Sequence, residues 1–364
     1  MRSLSVTKIL AIFSAAALLS NSFMGCSSES KNISSDNNIS KTSLLAHDLK
    51  EILNYTIMAP SGHNTQPWKF KVEGNNIKMY PDFSRRLPAV DSTNRELFIS
   101  LGCALENLTL AANEFGYDTN IAFEFSTEGP EYININLTKG QPKHSALFKA
   151  IPIRQCTRNK YDGVKVIDSK LQKIKETCVQ DGADVIIYAN SPDVEKMLLL
   201  IKEGNTIQFK NKQFLGELKS WIRFSKSEAE EKKDGLRSAS LDNPSVPRWL
   251  GSLFMDLFLT VNSQNDKDEE NVRSSAGLLL ITTKNDDKES WINAGRVYQR
   301  FALLAASMNI KNAFMNQPVE VNELKIKLKK DFSLDGRSPQ LLVRFGYSTT
   351  MPVSKRRNLE DVLL

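Results

Sequence analysis

Cysteine is scarce: 4 residues in a chain of 364, and after Cys26 only Cys103, Cys156 and Cys178 remain. An odd remainder cannot pair fully within one chain, and no two of these stand at a metal-ligand spacing, so neither a disulfide framework nor a structural metal is expected to hold the fold. Charge of one sign is also lacking. Lys and Arg exceed Asp and Glu by 48 − 42 = 6, and the charges are interspersed, with no basic block interleaved with aromatics, which excludes nucleic acid as the expected partner. No G-x-G-x-x-G fingerprint occurs. What the chain has is length. At 364 residues it exceeds what one core usually serves, so two domains or a doubled domain is expected.

The amino terminus reads as a targeting segment. Arg2 and Lys8 precede an apolar run, 9–19, too short to span a bilayer but long enough for a signal-peptide core. The run is followed by Phe23-Met24-Gly25-Cys26, which resembles a bacterial lipobox with Phe23 in place of the usual Leu. That resemblance implies removal of residues 1–25 and lipidation of Cys26, the alternative being a simple cleaved secretory signal. Residues 26–43 are rich in Ser and Asn with few apolar side chains and read as a flexible tether. A domain lipid-anchored in the bacterial cell envelope, outside the cytoplasmic membrane, follows.

Beyond the tether, Leu49, Ile52, Leu53 and Ile57 keep helical spacing up to Ala59-Pro60. Trp68, Phe70 and Val72 alternate with lysines, Gly74-Asn75-Asn76 turns, and Ile77 and Met79 resume the alternation, which predicts a hairpin. A helix is predicted over 96–115 with Gly116 as its stop, then strands at 121–125 and 132–137. From 144 onward the order is related: helices at 168–178 and from 192, a buried strand at 277–283, a helical stripe through Val297, Phe301, Leu304 and Met308, and a last strand at 340–347. Residues 225–247 form a charge-dense interruption, either a lid or a solvated loop. The mixture predicts an α+β fold. The 96–115 and 291–310 stretches share early small residues, an amide at Asn107 and Gln299, and a late Ala-Ala, as either a duplication or two amphipathic helices would.

One stretch carries unusual chemistry. "APSGHNTQPW", 59–68, crowds hydroxyls, amides, His63 and an aromatic ring between prolines. From composition it suits either a planar ligand with donors and acceptors around its edge or a capped polar turn. Its Pro-Ser-x-x-Asn-x-Gln-Pro-Trp pattern resembles the flavin-binding loop of the nitroreductase family. With "LGCALENLTLAA", "AGRVYQRFALLAASMNIKNAFMNQPVEV" and "LLVRFGYSTTMPVSKRRNLEDVL", the chain resembles the Acg-type branch, whose members carry two nitroreductase-like halves in one polypeptide.

The resemblance implies an intramolecular pseudo-dimer, with one half at 44–143 and the other at 144–364, and a single composite FMN site. Pro60, Ser61, Asn64 and Gln66 come from the first half. "IRQCTRNKY" resembles the family's Arg-rich segment, with Arg154 on the phosphate, Arg158 near the flavin N1/O2 edge, and Thr157 beside Cys156, which stands where the family commonly has Ser. "SKRRNLEDV" supplies Arg356 or Arg357 for the phosphate, and Asn316 and Gln317 fall near the flavin N5 edge. The activity implied is FMN-dependent transfer of hydride from NAD(P)H to a small acceptor such as a nitroaromatic or a quinone, with no catalytic residue demanded of the protein. The alternative is a lipoprotein that binds or sequesters FMN without turnover. His63 is expected to be satisfied by neighbouring backbone, the alternative being that it approaches the flavin ring or a substrate.

Overall fold

Two glycines let the longest pair of helices touch backbone to backbone. In the computed structural model, which describes Thr42 and residues 45–364 apart from 127 and 181, the helices Arg95–Glu114 and Lys288–Ser307 each run 20 residues. A Cβ at Gly102 would stand 2.0 Å from the Ile292 carbonyl oxygen, and one at Gly295 would stand 2.0 Å from that of Ile99. Each glycine lies three residues after the carbonyl that the other approaches (102 − 99 = 295 − 292 = 3). Such reciprocity is the mark of a two-fold interface, and here it lies within one chain. Polar bonds flank it. Gln299 Nε2 donates to Asn107 Oδ1 at 2.6 Å, and Arg296 and Arg300 both donate to the buried Glu106 carboxylate at 2.9 and 2.6 Å.

A four-stranded antiparallel sheet accompanies each helix. The first comprises β1 (Trp68–Glu73), β2 (Asn76–Pro81), β3 (Tyr117–Glu124) and β4 (Tyr132–Lys139), in the order β1-β2-β4-β3. Trp68 faces Pro81 and Phe70 faces Met79 in the hairpin register, so the apolar alternation puts Trp68, Phe70, Ile77 and Met79 on one buried face. A second region holds a two-stranded parallel pair, β6 (Ile222–Arg223) with β7 (Leu236–Arg237). The other four-stranded sheet is built from β5 (Ala183–Tyr188), β8 (Gly277–Thr283), β9 (Lys311–Phe314) and β10 (Ser338–Gly346), ordered β5-β8-β10-β9. All of β8 and β10 is buried, because helices cover both faces of this sheet. One apolar cluster runs through both halves, from Ile52, Phe70 and Leu101 to Ile281, Phe301 and Phe345. A second, around Ile201, Leu280 and Leu328, fills the far face of the second sheet.

After β10 the chain returns to the first half. Phe70 N donates to Val362 O at 2.8 Å and Leu364 N donates to Phe70 O at 2.8 Å, so the carboxyl-terminal tail pairs beside β1 and crosses the interface on its way. Along the crossing, Met351 and Gln155 exchange bonds of 2.7 and 3.1 Å.

The charge-dense segment 225–247 is folded. It contains a helix at Lys226–Lys232, β7, and a 3-10 turn at Ser238–Leu241. Asp234 explains its position: this carboxylate pairs with Arg223 at 2.7 Å and with Arg85 of the first half. Gly235 adopts φ 71° where a Cβ would lie 2.4 Å from Trp221 O. The helices Lys212–Trp221, Arg248–Phe258, Val261–Arg273 and Asn322–Asp331 also escaped the periodicity reading, as did β9. Strand β3 begins at Tyr117 rather than 121 because Gly116, at φ 76°, turns directly into it. The apolar run 9–19 and Cys26 lie outside the described residues.

The interface geometry sets a stability prediction. Gly102→Ala or Gly295→Ala forces the helices apart and should cost about 3 kcal/mol. Gly216→Ala, inside the Lys212–Trp221 helix with open space around its Cβ, should instead stabilise by about 0.5–1 kcal/mol. Urea unfolding midpoints measure both, and equal effects of the two changes would contradict the close-contact reading.

Candidate functional site

The 59–67 loop is held in an uncommon backbone. His63, Asn64 and Gln66 have φ of 46°, 56° and 54°, left-handed values that non-glycine residues keep only when surrounding bonds demand them. Those bonds are present. Ser61 Oγ accepts from Gln66 N at 2.9 Å, and Ser100 Oγ accepts from Gly62 N at 3.3 Å. Asn64 Nδ2 donates to Gly235 O at 3.0 Å and to Lys355 O at 3.1 Å. Gln66 Nε2 donates to Lys233 O at 2.9 Å, while its Oε1 accepts from Arg357 N at 2.8 Å. The loop is thus tied to the folded 225–247 segment and to the carboxyl-terminal tail.

Above the loop opens a cleft of about 1100 Å³, its mouth included. Pro60, Ser61, His63 and Asn64 line it from the first half, and Arg154, Arg158, Asn316 and Arg356 from the second. Leu236 and Ser240 of the 225–247 segment close part of its wall. The guanidinium groups of Arg154 and Arg356 converge on one carbonyl oxygen, that of Met58, at 3.3 and 3.4 Å. Among the described residues no carboxylate pairs with Arg154, Arg158 or Arg356. Burial, and then the Arg154 charge, hold Arg356 down to about 9. Arg154 Nε and Asn64 Oδ1 are buried without a hydrogen-bond partner. Arg356 also donates to the carbonyl oxygens of Ala59, Ser354 and Lys355, so the unspent donor of the pair is on Arg154; two like charges on one oxygen, with that donor free, suit a multiply charged anion.

Of the residues anticipated at a cofactor, Pro60, Ser61, Asn64, Arg154, Arg158, Asn316 and Arg356 line this cleft. Gln66, Thr157, Gln317 and Arg357 do not, and each is engaged behind it. Gln66 and Thr157 are fully buried, Gln317 donates to Asn205 at 3.0 Å and Asp268 at 3.2 Å, and Arg357 donates to Gln66 O at 3.2 Å and Asp361 O at 2.6 Å. Thr157, Gln317 and Arg357 each neighbour a lining residue in sequence, and consecutive side chains point apart. They support the cleft. Cys103 also reaches the floor of the cleft, where burial pushes its thiol up to about 12.

Two lining residues, Glu96 and Glu320, escaped sequence reasoning. Burial, and then the Glu320 charge, push Glu96 well above the usual carboxylate range, and burial raises Glu320. Asn316 Nδ2 reaches Glu96 at 3.4 Å and Gln208 Nε2 reaches Glu320 at 2.6 Å. The two stand 320 − 96 = 224 residues apart, and no local pattern marked either. Of the two readings of His63, the backbone-satisfied one does not hold: its ring lines the cleft and makes no hydrogen bond with any described residue. Desolvation, with Arg158's charge beside it, holds its pKa down to about 4.

With this geometry in hand, similarity to known proteins becomes informative. Residues 13–112 match the family model described as "Putative TM nitroreductase". A "Putative NAD(P)H nitroreductase" of Mycobacterium tuberculosis is 23% identical over 325 residues, spanning 87% of this chain and 91% of its own. The "Putative NAD(P)H nitroreductase acg" of the same organism is 21% identical over 325 residues, spanning 86% and 94%. The chain is thus similar, over most of its length, to curated proteins named as putative NAD(P)H nitroreductases, Acg among them. Among solved structures, the FMN-dependent nitroreductase NfnB of Mycobacterium smegmatis, in complex with NADPH, overlaps 59% of this chain and 96% of its own at 10% identity and TM-score 0.39. A nitroreductase with bound FMN from Desulfitobacterium hafniense overlaps 59% and 96% at 12% identity and TM-score 0.35.

The His63 environment yields a pH prediction. The folded state keeps the ring neutral down to about 4, whereas the unfolded ring takes a proton near 6.5. Between those values the unfolded state binds more protons, so stability falls as pH drops through the window. His63→Gln should flatten the slope of the urea midpoint between about pH 6.5 and 4. The raised carboxyls of Glu96 and Glu320 act with the opposite sign, stability being lost as pH rises above the ordinary carboxylate value, and they are common to both proteins. An unchanged slope in His63→Gln would contradict the assignment.

Proposed function

We propose that the cleft holds FMN and that the protein is an NAD(P)H-dependent oxidoreductase of nitroreductase type, reducing a small acceptor such as a nitroaromatic or a quinone. The observation that carries this reading is the convergence of Arg154 and Arg356 on the Met58 carbonyl with no carboxylate beside them. An FMN phosphate, with nearly two negative charges, supplies what this pair lacks, and Arg158 is the residue suited to offset negative charge on a reduced flavin ring. Asn64 and the unbonded His63 ring offer further polar contacts along the cleft. The chemistry FMN would supply there is acceptance of hydride from NAD(P)H and delivery of electrons to the acceptor. The protein's part is to hold the ring, to supply positive charge and to exclude water through the wall that Leu236 and Ser240 contribute.

That same wall favours a second reading, a flavin-holding protein without turnover, because the 225–247 segment is bonded over the cleft by Asn64, Gln66 and Arg85. For location we propose the cell envelope, with the lipid on Cys26. Radiolabelled palmitate incorporation that disappears in Cys26→Ser is the supporting result, and incorporation that persists would reject it.

The purified protein should be yellow and release FMN on denaturation. Arg154→Ala and Arg356→Ala should each weaken FMN binding by about 1.5–3 kcal/mol, or roughly 10- to 150-fold, with the melting temperature of the FMN-free protein as the folding control. Unaltered affinity would mean that the anion site lies elsewhere. Anaerobic NADH or NADPH then separates the two readings: bleaching of the flavin band marks the oxidoreductase, and an unchanged spectrum marks the holding protein.

A further inference from the structure

The two carboxyls of the cleft, Glu96 and Glu320, have no task in holding an anion. Glu96 is the second residue of the Arg95–Glu114 helix and Glu320 the last of the Gln317–Glu320 helix, so one enters the cleft from each half. A hydrogen bond joins them. Between two carboxyls such a bond exists only when one of them carries a proton.

The surrounding donors show which oxygen carries it. Arg95 Nη2 donates to Glu96 Oε1 at 3.3 Å, and Asn316 Nδ2 reaches the same atom at 3.4 Å. Glu320 Oε2 accepts from Gln208 Nε2 at 2.6 Å. Glu96 Oε2 accepts from no described residue, and it lies 3.5 Å from where a Cβ at Gly62 would stand. A buried carboxyl oxygen without a donor is the place where a proton is most stable, and Gly62 belongs to the loop that lines the cleft. The charged groups that act on Glu96 are Glu320 and Asp91, which favour the proton, and Arg95, which opposes it.

The pair also stands away from the arginines. Cys103 lies in the field of Arg154, and Glu96 precedes Cys103 by 103 − 96 = 7 residues on one helix, about 10 Å along its axis. That the cleft is a built polar site follows from other side chains: Arg154 and Asn64, each 6% exposed, keep Nε and Oδ1 without a partner.

We propose that Glu96 is the proton donor to the electron acceptor, with Glu320 as the residue that keeps the proton on it. Reduction of either acceptor class by hydride consumes one proton. For a nitroaromatic, ArNO2 + H⁻ + H⁺ gives ArNO + H2O, one N–O bond breaking as water leaves; for a quinone, hydride and proton give the hydroquinone. NAD(P)H is the source of the hydride, Glu96 Oε2 gives the proton and is left as carboxylate, and solvent restores it. General acids of this kind contribute about 10²- to 10⁴-fold.

The inference rests on the FMN oxidoreductase reading, and the experiment separates the two. FMN-loaded protein is reduced with stoichiometric dithionite and mixed in stopped flow with dinitrobenzene or with ferricyanide, which takes electrons and needs no proton. Glu96→Gln should slow reoxidation by dinitrobenzene about 100-fold or more and leave reoxidation by ferricyanide unchanged. In Glu320→Gln, loss of the neighbouring charge lowers the Glu96 pKa, so the pH at which dinitrobenzene reoxidation falls off should move down. The FMN-free protein gives an independent reading: a carboxylic-acid C=O infrared band at neutral pH, lost in Glu96→Gln. Failure to bind FMN removes the functional reading and the inference with it. FMN binding with equal dinitrobenzene rates in wild type and Glu96→Gln, an unmoved pH profile in Glu320→Gln, or absence of the infrared band overturns the inference alone.

Discussion

The reciprocal contact of Gly102 with Ile292 and of Gly295 with Ile99 is the constraint on which the rest depends. With no side chain between them, the two long helices approach until backbone meets backbone, and neither can slide without driving a carbonyl into a neighbouring residue. The first turns of the Arg95–Glu114 helix then lie beneath the 59–67 loop, with Ser100 bonding Gly62 and Glu96 facing the cleft. From the partner helix, Tyr298 faces the same space. A cleft made by both halves is a consequence of that locked pair, and the returning tail closes it by pairing with Phe70.

Charge is distributed unevenly along the cleft. At one side Arg154, Arg158 and Arg356 stand without carboxylate partners among the described residues; at another, burial drives Glu96 and Glu320 toward the neutral form, Glu96 further through the Glu320 charge. Because the acids tend to keep their protons, they do little to cancel the guanidinium field, although Arg95 beside Glu96 at 3.3 Å opposes that tendency. Low solvent access strengthens each of these interactions over its value in water. The strained loop backbone fits this picture: left-handed residues are costly, and the bonds from Gly235, Lys233, Lys355 and Arg357 hold them.

Much of the fold was legible in periodicity. The hairpin at 68–81, the two long helices and the buried strands β8 and β10 follow from apolar spacing, since each buries one continuous face or two. Elements whose burial depends on partners far away were not legible. The 225–247 segment read as either a lid or a solvated loop because its charges are dense, yet Asp234 meets Arg85 and Arg223, and a paired charge orders a segment that an unpaired one leaves solvated. The Arg248–Phe258 helix carries apolar residues on its outer face, which inverts the usual relation between pattern and core. At the cleft, Ser61, Asn64, Arg154, Arg158 and Arg356 were marked by residue type and motif, whereas Glu96 and Glu320 carried no local signal.

Sequence by itself determined the composition of the loop, the arginine-bearing segments and the α+β pattern, because hydrogen-bonding capacity, charge and apolar period are properties of residues in order. Only the tertiary structure decided which of adjacent residues faces the cleft. Asn316 enters it and Gln317 turns to Asn205 and Asp268; Arg356 enters it and Arg357 turns to Gln66. That choice belongs to backbone direction and to partners 49 to 291 residues away. No local pattern encodes it, since neighbouring side chains of the same chemistry differ only in where the packed helices leave them room.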